Sequence, residues 1–307
     1  MKIGLVGCGR WGRHILRDLV TLGGRVTVVL PSERNHGVAL AAGAEDVVAT
    51  VEALPDVEAV VVASPTTTHA DVLEHVLERP VPVYVEKPMS DDPSAARRFA
   101  ESAGDRLFVM HKWRYHPGIE ALAAIVRTRE LGEVVGIRST RVGWGNPHGD
   151  VDAIWMLAPH DVSIALEILG HIPPPRDAVA ERIGSTVTGM TALLGTDPWL
   201  AIDVSTAAAA QRREVRVICT QGIATLAEAY SDRIVITRGE VHASVTREDE
   251  RRPVSDELPL LRELRAFVEH VRGGPPPKSS AAEGLAEVET IAELRRLAGL
   301  PTVSVIG

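Results

Sequence analysis

Three glycines near the N-terminus constrain the fold more than any other feature of the sequence. Gly7, Gly9 and Gly12 form a G-x-G-x-x-G pattern directly after the apolar run at residues 3–6 and directly before a helical pattern. In a strand–turn–helix unit, the first glycine makes the tight turn, the second lets a pyrophosphate approach the backbone, and the third lets helix and strand pack closely. Amides at the helix N-terminus also favour phosphate. The pattern therefore predicts a dinucleotide-binding turn.

The first 110 or so residues alternate short β-branched runs with helical patterns, which is typical of βαβ units and a parallel sheet. We predict strands at residues 3–6, 26–30, 59–63, 83–85 and 107–110, and helices at 11–22, 38–42, 68–77 and 93–102. Asp92 is the expected cap of the last helix, because Pro93 suits its first position. The prediction is a doubly wound Rossmann domain over residues 1–118.

Beyond about residue 130 the pattern changes to longer strands without helices between them, which favours an antiparallel sheet. The predicted strands are 133–142, 177–183, 186–194, 200–206, 214–220 and 233–237. One face of this sheet is apolar, and a helix at 153–169 is expected to cover it. The predicted fold class is thus α/β: a Rossmann domain plus a C-terminal α/β domain, residues 119–280, with a large, mostly antiparallel open sheet. The remainder, 281–307, is predicted to form a helix at 281–297, packed back on the Rossmann domain, and a short strand at 302–306.

Composition bounds the functional class. A chain of 307 residues is long enough for two domains, and small ligands usually bind in clefts between domains. No apolar run is long enough for a membrane span, and a formal charge of −8 argues against binding to nucleic acid or anionic lipid. Cys8 and Cys219 give neither a disulfide framework nor zinc-site spacing. Since no secretory signal is evident, we expect a cytoplasmic protein with a small-molecule substrate and no metal.

Cofactor choice in such domains is made at the end of the second strand, where proteins that bind NAD usually place an acid. Here the acid is missing at Leu30, while Ser32 and Arg34 could hold a 2′-phosphate through a hydroxyl and a guanidinium group. In the alternative, Arg34 is merely solvated and Glu33 contacts the ribose. The residues favour NADP over NAD.

Lysine is rare in this chain: four of the 33 basic residues are lysines, and the others are arginines. Lys87 belongs to a Glu-Lys-Pro sequence that directly follows the strand at 83–85, at the edge where ligands bind in parallel sheets. An amine that titrates is something arginine cannot supply. We therefore favour a functional Lys87 over a surface lysine.

Three further segments complete the pattern: Ala63-Ser64-Pro65-Thr66 through His69, the Trp-Arg-Tyr-His-Pro at 113–117 and the Ala-Pro-His-Asp at 158–161. Together with the motifs above, they make the chain resemble the Gfo/Idh/MocA family of oxidoreductases. The resemblance implies a Rossmann domain followed by an open antiparallel sheet and a nicotinamide cofactor. It also implies hydride transfer to or from a carbon of a sugar, an inositol or a related molecule. Homodimers or homotetramers built on the open sheet face are expected as well.

The resemblance also implies roles for individual residues. Lys87 would lie near the nicotinamide and the reacting oxygen, and His160 would be the general acid/base, since histidine titrates near neutrality. The residues expected to bind the cofactor are Gly7, Gly9, Arg10, Trp11, Gly12, Ser32, Arg34, Ser64, Pro65, Thr66, His69, Glu86 and Lys87. The residues expected to bind the substrate are Lys112, Arg114, Tyr115 and Asp161. The loop residues Arg141, Trp144, Asn146 and His148 either contact the substrate or belong to a solvent-exposed loop.

One position departs from the family pattern. Many relatives carry an aspartate four residues before the histidine, and Met156 stands there in this chain, where it cannot orient an imidazole. Asp152, one turn back, or Asp161, the next residue along, could compensate. Two alternatives to sugar oxidation therefore remain: reduction of an imine, and a cofactor-binding regulator that has lost catalysis. Retention of both Lys87 and His160 counts against the regulator.

Overall fold

The computed structural model describes residues 1–146, 149–239 and 248–303. Contacts within the chain divide it into two compact units. The first comprises Met1–Lys112 and Leu260–Val288, and the second comprises Trp113–Pro259 and Glu289–Gly307. A late segment, residues 260–288, thus groups with the first unit.

The first unit contains a six-stranded parallel sheet in the order β3-β2-β1-β4-β5-β6. Its strands are β1 (Lys2–Val6), β2 (Arg25–Val29), β3 (Asp46–Val48), β4 (Ala59–Val62), β5 (Val83–Glu86) and β6 (Leu107–Met110). Its first helices are α1 (Gly12–Thr21), α2 (His36–Ala41), α3 (His69–Val76) and α4 (Pro93–Ser102). This order is that of a doubly wound dinucleotide-binding fold, so the predicted Rossmann architecture is confirmed. Only β3, a strand of three residues, was not predicted within this sheet.

The sequence determines these elements locally. All four residues of β4 are fully buried, as expected for a parallel strand covered on both faces. Helix α4 begins at Pro93, and the Asp92 carboxylate accepts a hydrogen bond of 2.9 Å from the Ser94 N–H. The predicted cap is therefore confirmed.

The second unit contains an eight-stranded sheet in the order β14-β13-β12-β11-β7-β10-β9-β8. Its strands are β7 (Val134–Trp144), β8 (Pro175–Ile183), β9 (Thr186–Leu194), β10 (Trp199–Ser205), β11 (Ala207–Cys219), β12 (Gly222–Leu226), β13 (Arg233–Arg238) and β14 (Glu248–Pro253). Every neighbouring pair is antiparallel except β7 and β10, which run parallel. The prediction of a mostly antiparallel sheet is confirmed.

Two helices of this unit are α5 (Pro117–Arg127) and α6 (Ala153–Leu169). As predicted, α6 packs on the apolar face of the sheet, where Leu200, Ile202 and Val204 of β10 are buried. The alanine run that begins at Ala207 belongs to a strand that was predicted only from residue 214 onward. It starts β11, because pairing with β7 at Trp144 supplies the hydrogen bonds of a strand.

Two further helices follow the second sheet: α7 (Pro259–Val271), which was not predicted, and α8 (Ala281–Leu297). In α7, the Phe267 ring stacks on Tyr84 of β5 with the ring centroids 4.7 Å apart. In α8, Gly284 lies directly against Val109 of β6, an approach that a side chain would block. These packings explain why residues 260–288 group with the first unit. Most of the strand predicted at 302–306 lies outside the described residues. Among the helices that the structure describes, none has the length and apolar character needed to cross a membrane.

Candidate functional site

The glycine turn after β1 lies against the end of β4. Gly7 has φ +93°, a left-handed conformation that favours glycine. A Cβ at this position would lie 2.6 Å from the Ala63 carbonyl oxygen and 2.7 Å from the Ser64 amide nitrogen. The turn can therefore approach the neighbouring strand only because residue 7 has no side chain.

Gly12 and Gly9 serve different purposes. A Cβ on Gly12 would lie 2.6 Å from the Gly7 carbonyl oxygen, so this glycine lets α1 pack on the turn. A Cβ on Gly9 would meet nothing within 4 Å. The backbone of Gly9 thus borders open space where the dinucleotide fold receives a pyrophosphate, and these residues fit that group.

The residues predicted to select the cofactor lie just beyond β2. Leu30 is buried, and its carbonyl oxygen is 2.8 Å from Nε2 of His36. Ser32, Glu33 and Arg34 are all exposed, and the last two begin a short 3-10 turn. Both the arginine and the glutamate are therefore accessible to a ribose or its phosphate.

His69 is buried between the loops that follow β4 and β5. Its Nδ1 lies 2.9 Å from the carbonyl oxygen of Pro88, and its Nε2 lies 3.0 Å from that of Ser64. The Ser64 hydroxyl in turn accepts a hydrogen bond of 2.9 Å from Thr68. His69 thus fixes the segment that holds Ser64, Pro65 and Thr66 relative to the Glu-Lys-Pro sequence.

Glu86 joins the same Glu-Lys-Pro sequence to the glycine turn. Its carboxylate accepts hydrogen bonds from the indole Nε1–H of Trp11 and from the backbone N–H of Lys87, the latter at 3.1 Å. Lys87 is half-buried, and Arg10 is exposed. Lys112, predicted to bind substrate, lies in the first unit with its ammonium nitrogen 4.0 Å from the Trp11 ring centroid. The carboxyl edge of this sheet therefore collects most of the predicted cofactor residues.

The sequence interpretation missed Glu263 of α7, which is fully buried in the first unit. Burial raises the pKa of its carboxyl group well above the ordinary value, and the nearby charge of Glu86 raises it further. A hydrogen bond with Tyr84 and the charge of Lys112 oppose that shift in pKa. Helical spacing in the sequence could have identified it, since Glu263 lies on the same apolar face of α7 as Leu260 and Phe267.

The second unit places His160 on α6 beside a group of aromatic rings. The His160 and Trp113 ring centroids are 6.4 Å apart, with an edge-to-face angle of 62°. Trp113 also stacks on His116, with centroids 4.9 Å apart. His160 is half-buried, so its imidazole packs against neighbouring side chains and is still partly accessible to solvent.

Asp161, predicted to bind substrate, is fully buried and paired. Its carboxylate accepts a hydrogen bond of 2.5 Å from Ser139 and bonds of 3.0 and 3.3 Å from the Arg141 guanidinium. Arg141 also lies over the Trp113 ring, 4.4 Å from its centroid. Asp161 therefore holds Arg141 in place beside the histidine helix.

The second carboxylate proposed to compensate for Met156 is also engaged. Asp152 caps α6 by accepting hydrogen bonds from Ile154 and Trp155, at 3.0 and 3.2 Å. Its other oxygen accepts a bond of 2.6 Å from Arg295. Met156 itself is buried. Both nearby carboxylates thus carry structural partners of their own.

The other predicted contacts of the second unit differ in accessibility. Arg114 donates a hydrogen bond of 3.2 Å to Glu167, and Tyr115 is buried. Trp144 is 81% exposed, and the Asn146 amide donates to the Val151 carbonyl oxygen at 3.0 Å. His148 lies outside the described residues.

The glycine turn, the strand order and the strand-end residues define a dinucleotide-binding Rossmann unit. The family model that matches residues 1–111 is Gfo/Idh/MocA, described as an oxidoreductase family with an NAD-binding Rossmann fold. Residues 1–111 therefore match the family that the motifs of the sequence resemble.

The relatives include several inositol dehydrogenases. Inositol 2-dehydrogenase 1 of Paenarthrobacter aurescens is 29% identical over 160 residues, 48% of each chain. Inositol 2-dehydrogenase of Rhizobium meliloti is 25% identical over 97% of this chain and 98% of its own. The first curated relatives are matched over only about half their length. Among solved structures, UDP-N-acetylglucosamine 3-dehydrogenase of Acidithiobacillus ferrooxidans shares the fold, with TM-score 0.83, 22% identity and 97% coverage of both chains.

Proposed function

We propose that this protein is an NAD(P)-dependent oxidoreductase that transfers a hydride between nicotinamide and a carbon of a sugar-like or cyclitol-like alcohol or carbonyl compound. The observation that carries the proposal is the open space at Gly9, in a turn packed on β4 and joined through Trp11 to the Glu-Lys-Pro sequence. The full-length likeness to an inositol 2-dehydrogenase supports the substrate class.

Lys87 and His160 carry the proposed chemistry at the reacting oxygen. When bound, the nicotinamide accepts or gives the hydride. In the oxidation direction the alcohol oxygen loses its proton to the His160 imidazole, and the Lys87 ammonium donates a hydrogen bond to the developing carbonyl oxygen. In reduction the same groups act in reverse. The hydrogen bond from the Lys87 backbone N–H to Glu86 fixes the start of the lysine side chain.

NADP is the proposed cofactor, because the exposed Ser32 and Arg34 offer a hydroxyl and a guanidinium group to a 2′-phosphate. The glutamate between them, Glu33, is also exposed and is the residue that would favour NAD by bonding ribose hydroxyls.

Imine reduction is the second candidate reaction, and a specific observation favours it. The two carboxylates that could compensate for Met156, Asp152 and Asp161, are held by Arg295 and Arg141. Because both carboxylates are engaged elsewhere and the Met156 side chain cannot accept a proton, proton donation to a developing amine is the second reaction proposed for His160.

Self-association through the open face of the second sheet is also proposed. Val179, Ile183 and Leu193 are exposed apolar residues on β8 and β9. Exposed apolar side chains on a sheet face are typical of contact surfaces between subunits. Light scattering of the protein in solution tests this expectation.

The first experiment measures thermal unfolding with NADPH, NADH and their oxidised forms. A ligand at about a hundred times its dissociation constant stabilises by roughly 2.7 kcal/mol. We expect stabilisation, strongest with NADPH, and then turnover of a polyol, sugar or imine substrate. The K87A and H160A variants should each lose turnover, and H160A should retain its nucleotide affinity. No stabilisation by any nucleotide would contradict the proposal, and turnover that survives K87A would contradict the site.

A further inference from the structure

Arg213 and Arg141 face each other across two neighbouring strands of the second unit. They are direct partners in the antiparallel ladder between β11 and β7, so both side chains emerge on the same face of the sheet. That face is the one covered by α6, since Arg141 pairs there with Asp161. Arg213 also continues the alternation of Val215 and Val217, which are buried on this face.

The two guanidinium groups are not equally neutralised. Arg141 has a bidentate partner in Asp161, whereas no carboxylate of the described residues forms an ion pair with Arg213. Partial burial and the charge of Arg141 lower the pKa of Arg213, with Tyr230 and Asp161 opposing. A half-buried cation beside a second cation is unfavourable in the unliganded protein, because part of its hydration is lost without a matching anion. An anion bound at Arg213 would relieve this cost.

The backbone around Arg213 departs from regular pairing. The pairing of β11 with β7 shifts register between the pairs Ala207/Trp144 and Arg212/Val142. Over this stretch β11 advances five residues while β7 advances two, which forms a bulge in β11. Such bulges redirect side chains and are frequent near binding sites. Arg213 is the first residue after this bulge whose side chain returns to the face of Arg141.

This arginine pair lies close to the proposed acid/base residue. The Arg141 guanidinium is 4.4 Å from the centroid of the Trp113 ring, and the same ring lies 6.4 Å from the imidazole of His160. Asp161, which holds Arg141, is the residue after His160 on α6. Arg213 therefore lies directly across the ladder from the arginine that contacts this aromatic group.

We propose that Arg213 binds a carboxylate group of the substrate, so that the substrate is an acidic sugar-like or cyclitol-like molecule. Arg141, Arg213 and Asp161 together carry one net positive charge, which a single carboxylate neutralises and a phosphate dianion exceeds. The planar guanidinium fork also matches a carboxylate with two parallel hydrogen bonds. The inference deepens the proposed function and rests on it for the sugar-like part of the substrate.

The test compares binding of D-glucose, D-glucuronate and D-glucose 6-phosphate by calorimetry, with and without saturating NADPH. The wild-type protein should bind glucuronate more tightly than glucose. Arg213→Gln should weaken glucuronate roughly ten- to a hundredfold, as for a lost charged hydrogen bond, and leave glucose unchanged. Arg213→Lys should retain an intermediate affinity, because it keeps the charge and loses the fork. Thermal unfolding of each variant shows that it is folded.

Arg212→Gln is the matched control, since this neighbouring arginine is more than half exposed and pairs with Glu214 at 3.2 Å. It should bind glucuronate as the wild type does. The proposal is overturned if the wild type shows no preference for glucuronate over glucose, or if Arg213→Gln weakens both sugars equally. It is also overturned if only glucose 6-phosphate binding depends on Arg213. Failure of the proposed function would show separately, as an absence of nucleotide binding or of turnover that depends on Lys87.

Discussion

The indole N–H of Trp11 donates a hydrogen bond to the carboxylate of Glu86, which joins the glycine turn to the strand end that precedes Lys87. Trp11 lies immediately before α1, and Glu86 is the last residue of β5. One side-chain bond therefore connects the glycine turn to the end of β5, across 75 positions of the chain.

The first prediction concerns this bond. W11F keeps an aromatic ring but removes the donor, so it should raise the dissociation constant of NADPH about fivefold, equivalent to roughly 1 kcal/mol for a lost hydrogen bond. Calorimetric titration measures the change. W144F is the control, since Trp144 is 81% exposed, and it should bind NADPH as the wild type does. Unchanged affinity in W11F would show that the bond does not shape the cofactor site.

The second prediction separates two glycines of the turn. A Cβ at Gly9 would enter open space, so G9A should unfold within about 0.5 kcal/mol of the wild type and yet lose at least about tenfold in NADPH affinity. A Cβ at Gly12 would lie 2.6 Å from the Gly7 carbonyl oxygen, so G12A should lose both stability and affinity. Urea unfolding and calorimetry together provide the two readouts. If G9A still bound NADPH normally, the pyrophosphate would not lie at this glycine.

The third prediction tests cofactor choice at the end of β2. R34A should weaken NADPH binding by about 1 to 2 kcal/mol, on the scale of a charged hydrogen bond, while NADH binding stays the same. E33Q, the companion variant, should leave NADPH affinity unchanged. Equal losses for both cofactors in R34A, or a loss of NADH affinity in E33Q, would instead favour NAD.

Local signals explain what the sequence could predict. The glycine pattern, the buried strand before it and the Asp92-Pro93 cap are each contained within a few residues, and all three are present in the structure. The same holds for α6, whose predicted bounds agree with the observed helix.

Tertiary pairing explains what the sequence could not predict. The strand β14, Glu248–Pro253, contains no apolar residue except its terminal proline, and no periodicity marks it. Its extended state comes from pairing with β13, where the Thr237 hydroxyl donates a hydrogen bond of 2.7 Å to Asp249. The pairing of Asp161 with Arg141 likewise depends on which residue of a distant strand faces α6, and the spacing of 20 positions gives no sign of it.

The fourth prediction tests that buried pair. D161N would leave the Arg141 guanidinium buried without its partner charge, which should lower the free energy of unfolding by about 3 to 5 kcal/mol. D232N is the comparison, because Asp232 forms an ion pair with Arg233 in which both side chains are largely exposed. Such surface pairs contribute about 1 kcal/mol or less. Urea unfolding measures the loss in free energy of unfolding for each variant. Similar small losses for D161N and D232N would show that Asp161 does not compensate a buried charge.

The fifth prediction follows from the raised pKa of Glu263. Burial, together with the charge of Glu86, favours the protonated carboxyl group in the folded protein, whereas the unfolded chain ionises near the ordinary value. Between these two pKa values the native state binds more protons than the unfolded state, so the free energy of unfolding falls as pH rises through that window. The contribution of the protonated group is fully present below the unfolded pKa and is lost progressively as pH rises to the folded pKa.

E263Q removes this titration, because the amide stays neutral at every pH. The stability of E263Q relative to the wild type should therefore increase as pH rises from 5 to 8, when each protein is unfolded with urea at several pH values. E269Q is the matched control, since Glu269 lies exposed on the same helix, and its stability should follow the wild type at every pH. The contrary outcome is that the free energy of unfolding of E263Q relative to the wild type stays constant, or falls, as pH rises. Either result would mean that the buried carboxyl group is not held protonated. In that case Lys112, rather than burial, would govern the charge state of Glu263, because it is the cation near the carboxyl group that favours its ionised form.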